Sequence, residues 1–502
     1  MIDVMFGALY GLVTSPHIMG LMLVAVVCGL LVGVTPGIGG KLSIAMAIPF
    51  VYGMDMVAGS VFLLAMHAVN GTSGQISSIM FGIPGDGDDA ATTLDGYPLA
   101  KKGQAARALG ASITASGVGG ILGAVVFALM IPVLEPIVLM FSPAEFFLVA
   151  LLGISFIAFL SSGDKIVKGL IVGFYGLMLA TVGMDPQTGT PRYAGDMLFL
   201  WDGVSLVTAV LALFAVPEMI ALGAKGGAIS AAPMEDKNFS YRQLLSGVME
   251  VPRNWWLVTR TSVIGAVIGM IPGLGGSAAA WLCYGHAVQS SKHPEMFGRG
   301  AIEGVIAPET ASNAKEGGSL LPTLFFGIPG SSGMAVLLGA FLILGIQPGA
   351  FMITEHLDLV WTLIWALVVG NLIAVSILLF VCRWVAVLTF VNGRMLVPFI
   401  LVFIAIGCYV SEYQWQNLVV LVLFSAIGYG FLRAGWPRAP FVIGLVLGSK
   451  AEESLNQALQ LWGYGFFLRP LSLVLIGMIV VLMSYAVYRN MRPSRHQVQI
   501  GG

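Results

Sequence analysis

Apolar positions in this chain neither alternate nor keep to one helical face; they run together. Stretches such as "MGLMLVAVVCGLLVGV" (19–34), "ALGASITASGVGGILGAVVFALMI" (108–131) and "PLSLVLIGMIVVLMSYAVY" (470–488) are of the order of the roughly 20 residues with which an α-helix crosses a hydrocarbon core. Further spans are expected at 144–161, 165–183 and 202–224. The many short alternating segments of a membrane β-barrel are not found. The pattern predicts an all-α polytopic membrane protein of roughly 10–12 transmembrane helices. Composition agrees: mean hydropathy is +0.92 and only 10% of residues are charged, against roughly 25% in soluble domains.

Two of the apolar runs end in the same breaking motif. "TPGIGGKLS" stands at 35–43 and "IPGLGGSAA" at 271–279, and each is followed by a second motif, "MFGIPGDGDDA" at 80–90 and "FFGIPGSSGMA" at 325–335. Pro272 lies 236 positions after Pro36, and Pro329 lies 245 after Pro84. Two motifs recurring in one order at nearly one offset indicate an internal duplication. The expected organisation is a first repeat unit with flanking spans (1–224), a cytoplasmic linker (225–255), a second repeat unit (256–490) and a basic cytoplasmic tail (491–502).

Charge supplies orientation. Lys and Arg bunch at Lys101, Lys102 and Arg107, at Lys165 and Lys168, between Lys225 and Arg260, and from Arg489 to Arg495, which the positive-inside rule assigns to the cytoplasm. The loop "DPQTGTPRYAGD" (185–196) then falls outside. The span before Pro36 leaves an end without Lys or Arg, whereas the span before Pro272 leaves a basic loop, so the two copies are expected to cross in opposite directions. The N-terminal "MIDVMFGALYGLVTSPHI" lacks the basic n-region of a secretory signal and is expected to be an amphipathic lead-in to the first span. Net charge of -1 offers no field for nucleic acid.

An inverted repeat whose matching spans are interrupted by Pro and Gly marks the binding site of a secondary transporter, with re-entrant segments at the breaks. Lipid cannot satisfy the freed backbone groups, so the breaks must line protein or water. A helix that restarts there offers unpaired N–H groups and a positive dipole end to a carboxylate; the carbonyls on the other side suit Na⁺. Kinking for close helix packing is the alternative reading of the same glycines. Polar residues cluster beside both breaks: Asn70, Thr72, Ser73, Gln75, Ser77 and Ser78 in the first copy, and Glu303, Glu309, Thr310, Ser312, Asn313, Lys315 and Glu316 in the second. Ionisable groups at membrane depth count as site candidates, although Asp86, Asp88, Asp89 and Lys315 could equally sit in aqueous loops. Lys41, the only Lys or Arg in the first 100 residues, is a candidate for neutralising an anion or for snorkelling.

Other chemistry finds little support. A phosphate loop would need Gly at 35 and Ser or Thr at 42, where the chain has Thr35 and Leu42. His67 lies on an apolar run and reads as a packing residue; Cys28, Cys283, Cys382 and Cys408 lack paired spacing and read the same way. No metal site beyond a possible Na⁺, no cofactor and no enzyme activity is expected.

The blocks "PGIGG" (36–40), "IPGDGDDAATTLDGYPLAKKGQAARALG" (83–110), "FGRGAIEGVIAPETASNAKEGGSLLPTLFFGIPGSSG" (297–333) and "PRAPFVIGLVLGSKAEESL" (437–455) strongly resemble the TctA family, the large membrane subunit of the tripartite tricarboxylate transporters, over nearly the whole chain. The resemblance implies a multi-pass permease of the bacterial inner membrane that imports citrate-like di- or tricarboxylates on an Na⁺ or H⁺ gradient. Its implied partners are a small four-helix membrane subunit and a periplasmic binding protein. It implies a substrate site at Pro36, Gly37, Gly39, Gly40 and Lys41; at Pro84 and Gly85; at Pro272, Gly273, Gly275 and Gly276; and at Pro329, Gly330, Ser331 and Ser332. Asn70, Thr72, Ser73, Glu309, Thr310, Ser312 and Asn313 are the ion-coupling candidates. Movement is expected to be alternating access, by rocking or by sliding. An intramembrane enzyme or lipid-handling protein built on Glu309, or a channel without gradient coupling, are the rival readings. Two departures from the family stand out. Asp86, Asp88 and Asp89 replace small neutral residues and would repel a carboxylate if they faced it. Glu452 is followed by Asn456 where the family has Glu-x-x-x-Arg, so the ion pair assumed there is expected to be missing.

Overall fold

The computed structural model describes residues 1–34, 40–82, 84, 87–160, 165–185, 188–225, 240–272, 275–388, 393–410 and 413–491. In chain order its helices are α1 (Ile2–Thr14), α2 (Pro16–Val34), α3 (Gly40–Val51), α4 (Met56–Phe81), α5 (Ala90–Lys101), α6 (Ala105–Leu139), α7 (Pro143–Leu160), α8 (Lys165–Ala180), α9 (Leu206–Val210) and α10 (Val216–Lys225). There follow α11 (Tyr241–Val248), α12 (Glu250–Arg253), α13 (Trp255–Met270), α14 (Gly275–Ser290), α15 (Glu303–Phe326), α16 (Ser332–Ile343), α17 (Phe351–Thr354), α18 (Leu357–Leu388), α19 (Gly393–Val410), α20 (Gln416–Arg433), α21 (Ala439–Trp462) and α22 (Pro470–Met491). A π-helical turn, Leu211–Ala215, joins α9 to α10. The only strands among the described residues, β1 (Gly183–Met184) and β2 (Pro191–Arg192), pair antiparallel.

The all-α expectation holds. Five of these helices are long and apolar enough to cross a membrane, or six if the bent α21–α22 pair is one span, and shorter apolar helices of 10–17 residues accompany them. These are counts of long apolar helices among the described residues and not of every crossing. A break divides a crossing into two short helices, and α15 carries too many charged residues to pass as apolar although it is buried from Gly304 to Phe325.

The chain forms two compact units, Met1–Met140 with Ser205–Tyr429, and Phe141–Val204 with Gly430–Gly502. Each takes a segment from both sequence halves, so compact units and repeat halves are different partitions of the chain. Of the linker, residues 226–239 lie outside the described residues, as does the tail from 492.

The larger unit shows the duplication in its packing. In the first half α2 lies along α4; in the second α13 lies along α15. A Cβ on Gly29 would stand 2.5 Å from the Met66 carbonyl oxygen, and one on Gly265 would stand 2.5 Å from that of Ala311; one turn on, Gly33 meets the Asn70 carbonyl and Gly269 that of Lys315. Gly265 and Gly269 follow Gly29 and Gly33 by 236 positions, while Ala311 and Lys315 follow Met66 and Asn70 by 245. These are the offsets of the proline motifs. The glycines let helix backbones touch. The halves also exchange partners: α6 packs on α15 and α18 on α4, while α14 packs on α5 and α3 on α16.

The smaller unit gathers α7, α8, α21 and α22. Gly176 and Gly444 seat each helix of the α8–α21 pair on a carbonyl of the other. Glu145, fully buried, accepts from Arg469 Nε at 3.1 Å and Ser472 Oγ at 2.9 Å. The ion pair expected to be missing at Glu452 is present from elsewhere: Arg192 donates to both its carboxylate oxygens, at 2.5 and 3.0 Å.

Candidate functional site

Helix breaks position the site, and local sequence explains each of them. α4 ends at Gly82 and α15 at Gly327, both in the left-handed region (φ 70° and 68°) that glycine enters without strain. Prolines follow and prevent continuation. α16 restarts behind Ser331, whose Oγ accepts from Met334 N at 3.2 Å as an N-cap. α14 restarts at Gly275, itself at φ 68°.

Both restarts meet α15. At α14, Ser277 Oγ donates to Asp88 Oδ1 at 2.8 Å, and Lys315 Nζ lies 3.5 Å from Asp88 Oδ2. A Cβ on Gly276 would overlap Asp88 and stand 2.8 Å from Lys315 Cε. At α16, a Cβ on Gly333 would stand 2.5 Å from His67 Cε1, and His67 Nε2 lies 3.1 Å from Glu316 Oε2. Lys315 Nζ closes the chain at 2.8 Å from Glu316 Oε1. Neighbouring residues of one helix therefore connect the two restarts through Asp88, Lys315, Glu316 and His67. Lys315, Glu316 and His67 are all buried.

This arrangement changes several readings. Lys315 is in a buried helix and not in an aqueous loop; His67 faces a carboxylate and is more than packing. Asp88 stands beside the α14 restart, paired with Lys315 and Ser277. Sequence reasoning read His67 as a packing residue and left Lys315 undecided. The available signal was the run "NAKEGG" inside a glycine-rich segment, with the only charge pair in the second copy's polar stretch at the level of its breaks.

The other candidates fall in three places. Asn313 belongs to a buried polar seam between α4, α6, α15 and α18, its Nδ2 donating to Ser116 O at 2.8 Å and Asn371 Oδ1 at 2.7 Å and lying 3.3 Å from Thr72 Oγ1. Asn70 donates to Gly29 O at 3.4 Å, and Ser73 to Asn70 O, tying them to the α2–α4 contact. Thr310 and Ser312 bond back to their own helix. Glu309 is buried and accepts from Thr92 Oγ1 of α5 at 2.5 Å, which brings it to the α5 side of α15. Pro272, Pro329 and Gly330 are buried and Pro84 is exposed; Gly40 opens α3. Pro36, Gly37, Gly39, Gly85, Asp86 and Gly273 lie outside the described residues, as do the side chains of Lys41 and Ser332. Cys283 and Cys408 donate to backbone carbonyls, at 3.7 and 3.3 Å, as packing residues do. Among the described residues no group of three His, Cys, Asp or Glu side chains is arranged to hold a metal ion.

A second polar knot steadies α14. Asp95 of α5 accepts from Tyr284 Oη at 2.9 Å and from the backbone N–H groups of Gly300 and Ala301 at 2.7 and 2.8 Å. It holds the lead-in to α15 against α5 and α14.

The tripartite tricarboxylate transporter TctA family matches residues 19–443. The chain is 32% identical over 490 residues, covering 95% of itself and 94% of the relative, to the uncharacterized 52.8 kDa protein in the TAR-I ttuC' 3' region of Agrobacterium vitis. It is 36% identical over 238 residues, 47% of itself and 98% of the relative, to the uncharacterized protein in the TAR-II ttuC' 3' region of the same organism. No solved structure matches it. The family match runs through both pairs of breaks and the buried helix between them: this chain belongs to the TctA family, the large membrane subunits of tripartite tricarboxylate transporters.

Proposed function

We propose that the chain is the permease of a binding-protein-dependent secondary transporter that imports citrate-like di- or tricarboxylates on an Na⁺ or H⁺ gradient. In this reading it works in the bacterial inner membrane, with its C-terminus in the cytoplasm, beside a small four-helix subunit and a periplasmic binding protein. The observation that carries the reading is the meeting of two helix restarts at Lys315 and Glu316. A restart offers N–H groups and a positive dipole end to an anion. At α14 the chain's own Asp88 already lies against that end. The α16 restart, Pro329 to Ser332, has the His67 ring between it and the Glu316 carboxylate and is the place for the substrate's. Alternating access carries the substrate across the membrane.

The test is uptake of labelled citrate and a panel of dicarboxylates into vesicles holding the chain with its small partner, the binding protein added outside. The reading expects uptake that needs both the binding protein and an ion gradient. Uptake indifferent to every gradient would point to a channel, and no uptake by the assembled complex would overturn the reading.

A further inference from the structure

Buried charge in the larger unit does not follow the duplication. By the 245-residue offset Lys315 corresponds to Asn70 and Glu316 to Gly71, while His67 corresponds to Ser312. The first copy therefore makes the same helix contact with uncharged residues at the equivalent positions, so the contact itself does not require a pair there. Buried ion pairs contribute little net stability; their presence in one copy only calls for another reason.

The groups themselves indicate which cation they serve. His67 is 6% exposed and Glu316 7%. His67 Nδ1 has no hydrogen-bond partner among the described residues. Sodium and other hard cations take oxygen ligands; here the ammonium of Lys315 already occupies the cation position between Glu316 and Asp88, and the remaining basic atoms are imidazole nitrogens. Among the described residues the charged groups around the ring are Glu316 and Lys315 of α15 and, beyond Lys315, Asp88; Asp89 lies instead against Gly74 of α4. With His67 neutral the group of four carries one net negative charge. With His67 protonated it carries none.

We propose that the His67–Glu316 pair is the proton-coupling site of this transporter. The proposal rests on the permease reading and names its driving ion as H⁺. A proton from water on the outer side adds to the imidazole lone pair as its O–H bond breaks, and leaves to water on the inner side, with no change of oxidation state. Gly333 puts the ring against the start of α16, so protonation removes negative charge beside the place proposed for the substrate carboxylate. Each ligand then favours the other, as linkage requires.

The test counts protons per substrate. The complex is reconstituted in vesicles with a pH-reporting dye inside, binding protein and labelled citrate outside, and Na⁺ absent; lumen acidification is divided by citrate taken up. The ratio reads only molecules that turn over, so lost folded protein does not mimic an effect, and a residual rate suffices. The wild type is expected to carry protons beyond those bound to the citrate, and His67→Gln and Glu316→Gln each to lower the ratio by about one proton per turnover. Accumulation driven by a pH gradient should fall by about tenfold or more in both variants. An unchanged ratio in both variants, or wild-type uptake that follows Na⁺ and ignores the pH gradient, would overturn the assignment. A wild type that takes up no carboxylate under any gradient would overturn the permease reading itself, and the coupling site with it.

Discussion

The restarts of α14 and α16 are built alike and equipped differently. Both follow a Pro-Gly break and both reach α15. Yet α14 begins against a carboxylate of the chain, Asp88, held by Ser277 and Lys315, whereas α16 begins behind a serine cap with an imidazole at its second residue. The two restarts share a backbone frame, and one of them lies against a carboxylate of the chain itself. The lesson is that paired breaks do not imply paired surroundings: under the proposed reading, the charge beside each break decides its use.

Exchanging the equivalent residues should break the comparison most sharply. Lys315→Asn gives the second copy what the first has at Asn70 and leaves Asp88 and Glu316 without their shared cation; removing one partner from a buried pair costs about 3–5 kcal/mol. Asn70→Ala, at the equivalent position, removes one long hydrogen bond and should cost only about 0.5–1.5 kcal/mol. Thermal unfolding of the detergent-solubilised complex measures both, and equal losses would deny the asymmetry. Next in size is Tyr284→Phe, which withdraws a donor from the Asp95 carboxylate and should cost about 1.5–3 kcal/mol by the same measurement. The glycine contacts test the symmetry that remains. Gly33→Val and Gly269→Val push side chains into the Asn70 and Lys315 carbonyls and should each cost about 1–3 kcal/mol, alike because the contacts are alike. The smallest effect belongs to the other unit, where Arg192→Gln removes a partly exposed pair. Its loss should be about 0.2–1 kcal/mol and should shrink in high salt.

How far the sequence foretold all this varies by residue. Helices, breaks and duplication were legible because Pro36, Pro84, Pro272 and Pro329 are local signals, with a steric cause that needs no context. The glycine pairs that confirm the duplication share its offsets, but they mean little until α2 and α13 are seen lying on carbonyls. α15 misleads for a clear reason. Hydropathy left Lys315 open to an aqueous-loop reading because a polar helix is normally wet on one face, and this one is enclosed on every side, so it shows no amphipathic stripe. Spacing rules could not find the partner of Glu452 either, since Arg192 lies 260 positions away. The two compact units were equally hidden, being made by contacts between distant segments.

The most direct test of the central claim asks which restart meets the substrate. With Cys28, Cys283, Cys382 and Cys408 replaced, single cysteines are placed at Ser277 and Ser331, and labelling by a small membrane-impermeant thiol reagent is followed in the reconstituted complex with and without saturating citrate. The account predicts that citrate slows labelling at position 331 strongly and at 277 little, because Asp88 already occupies the α14 restart. Equal protection at both positions, or none at 331, would contradict it.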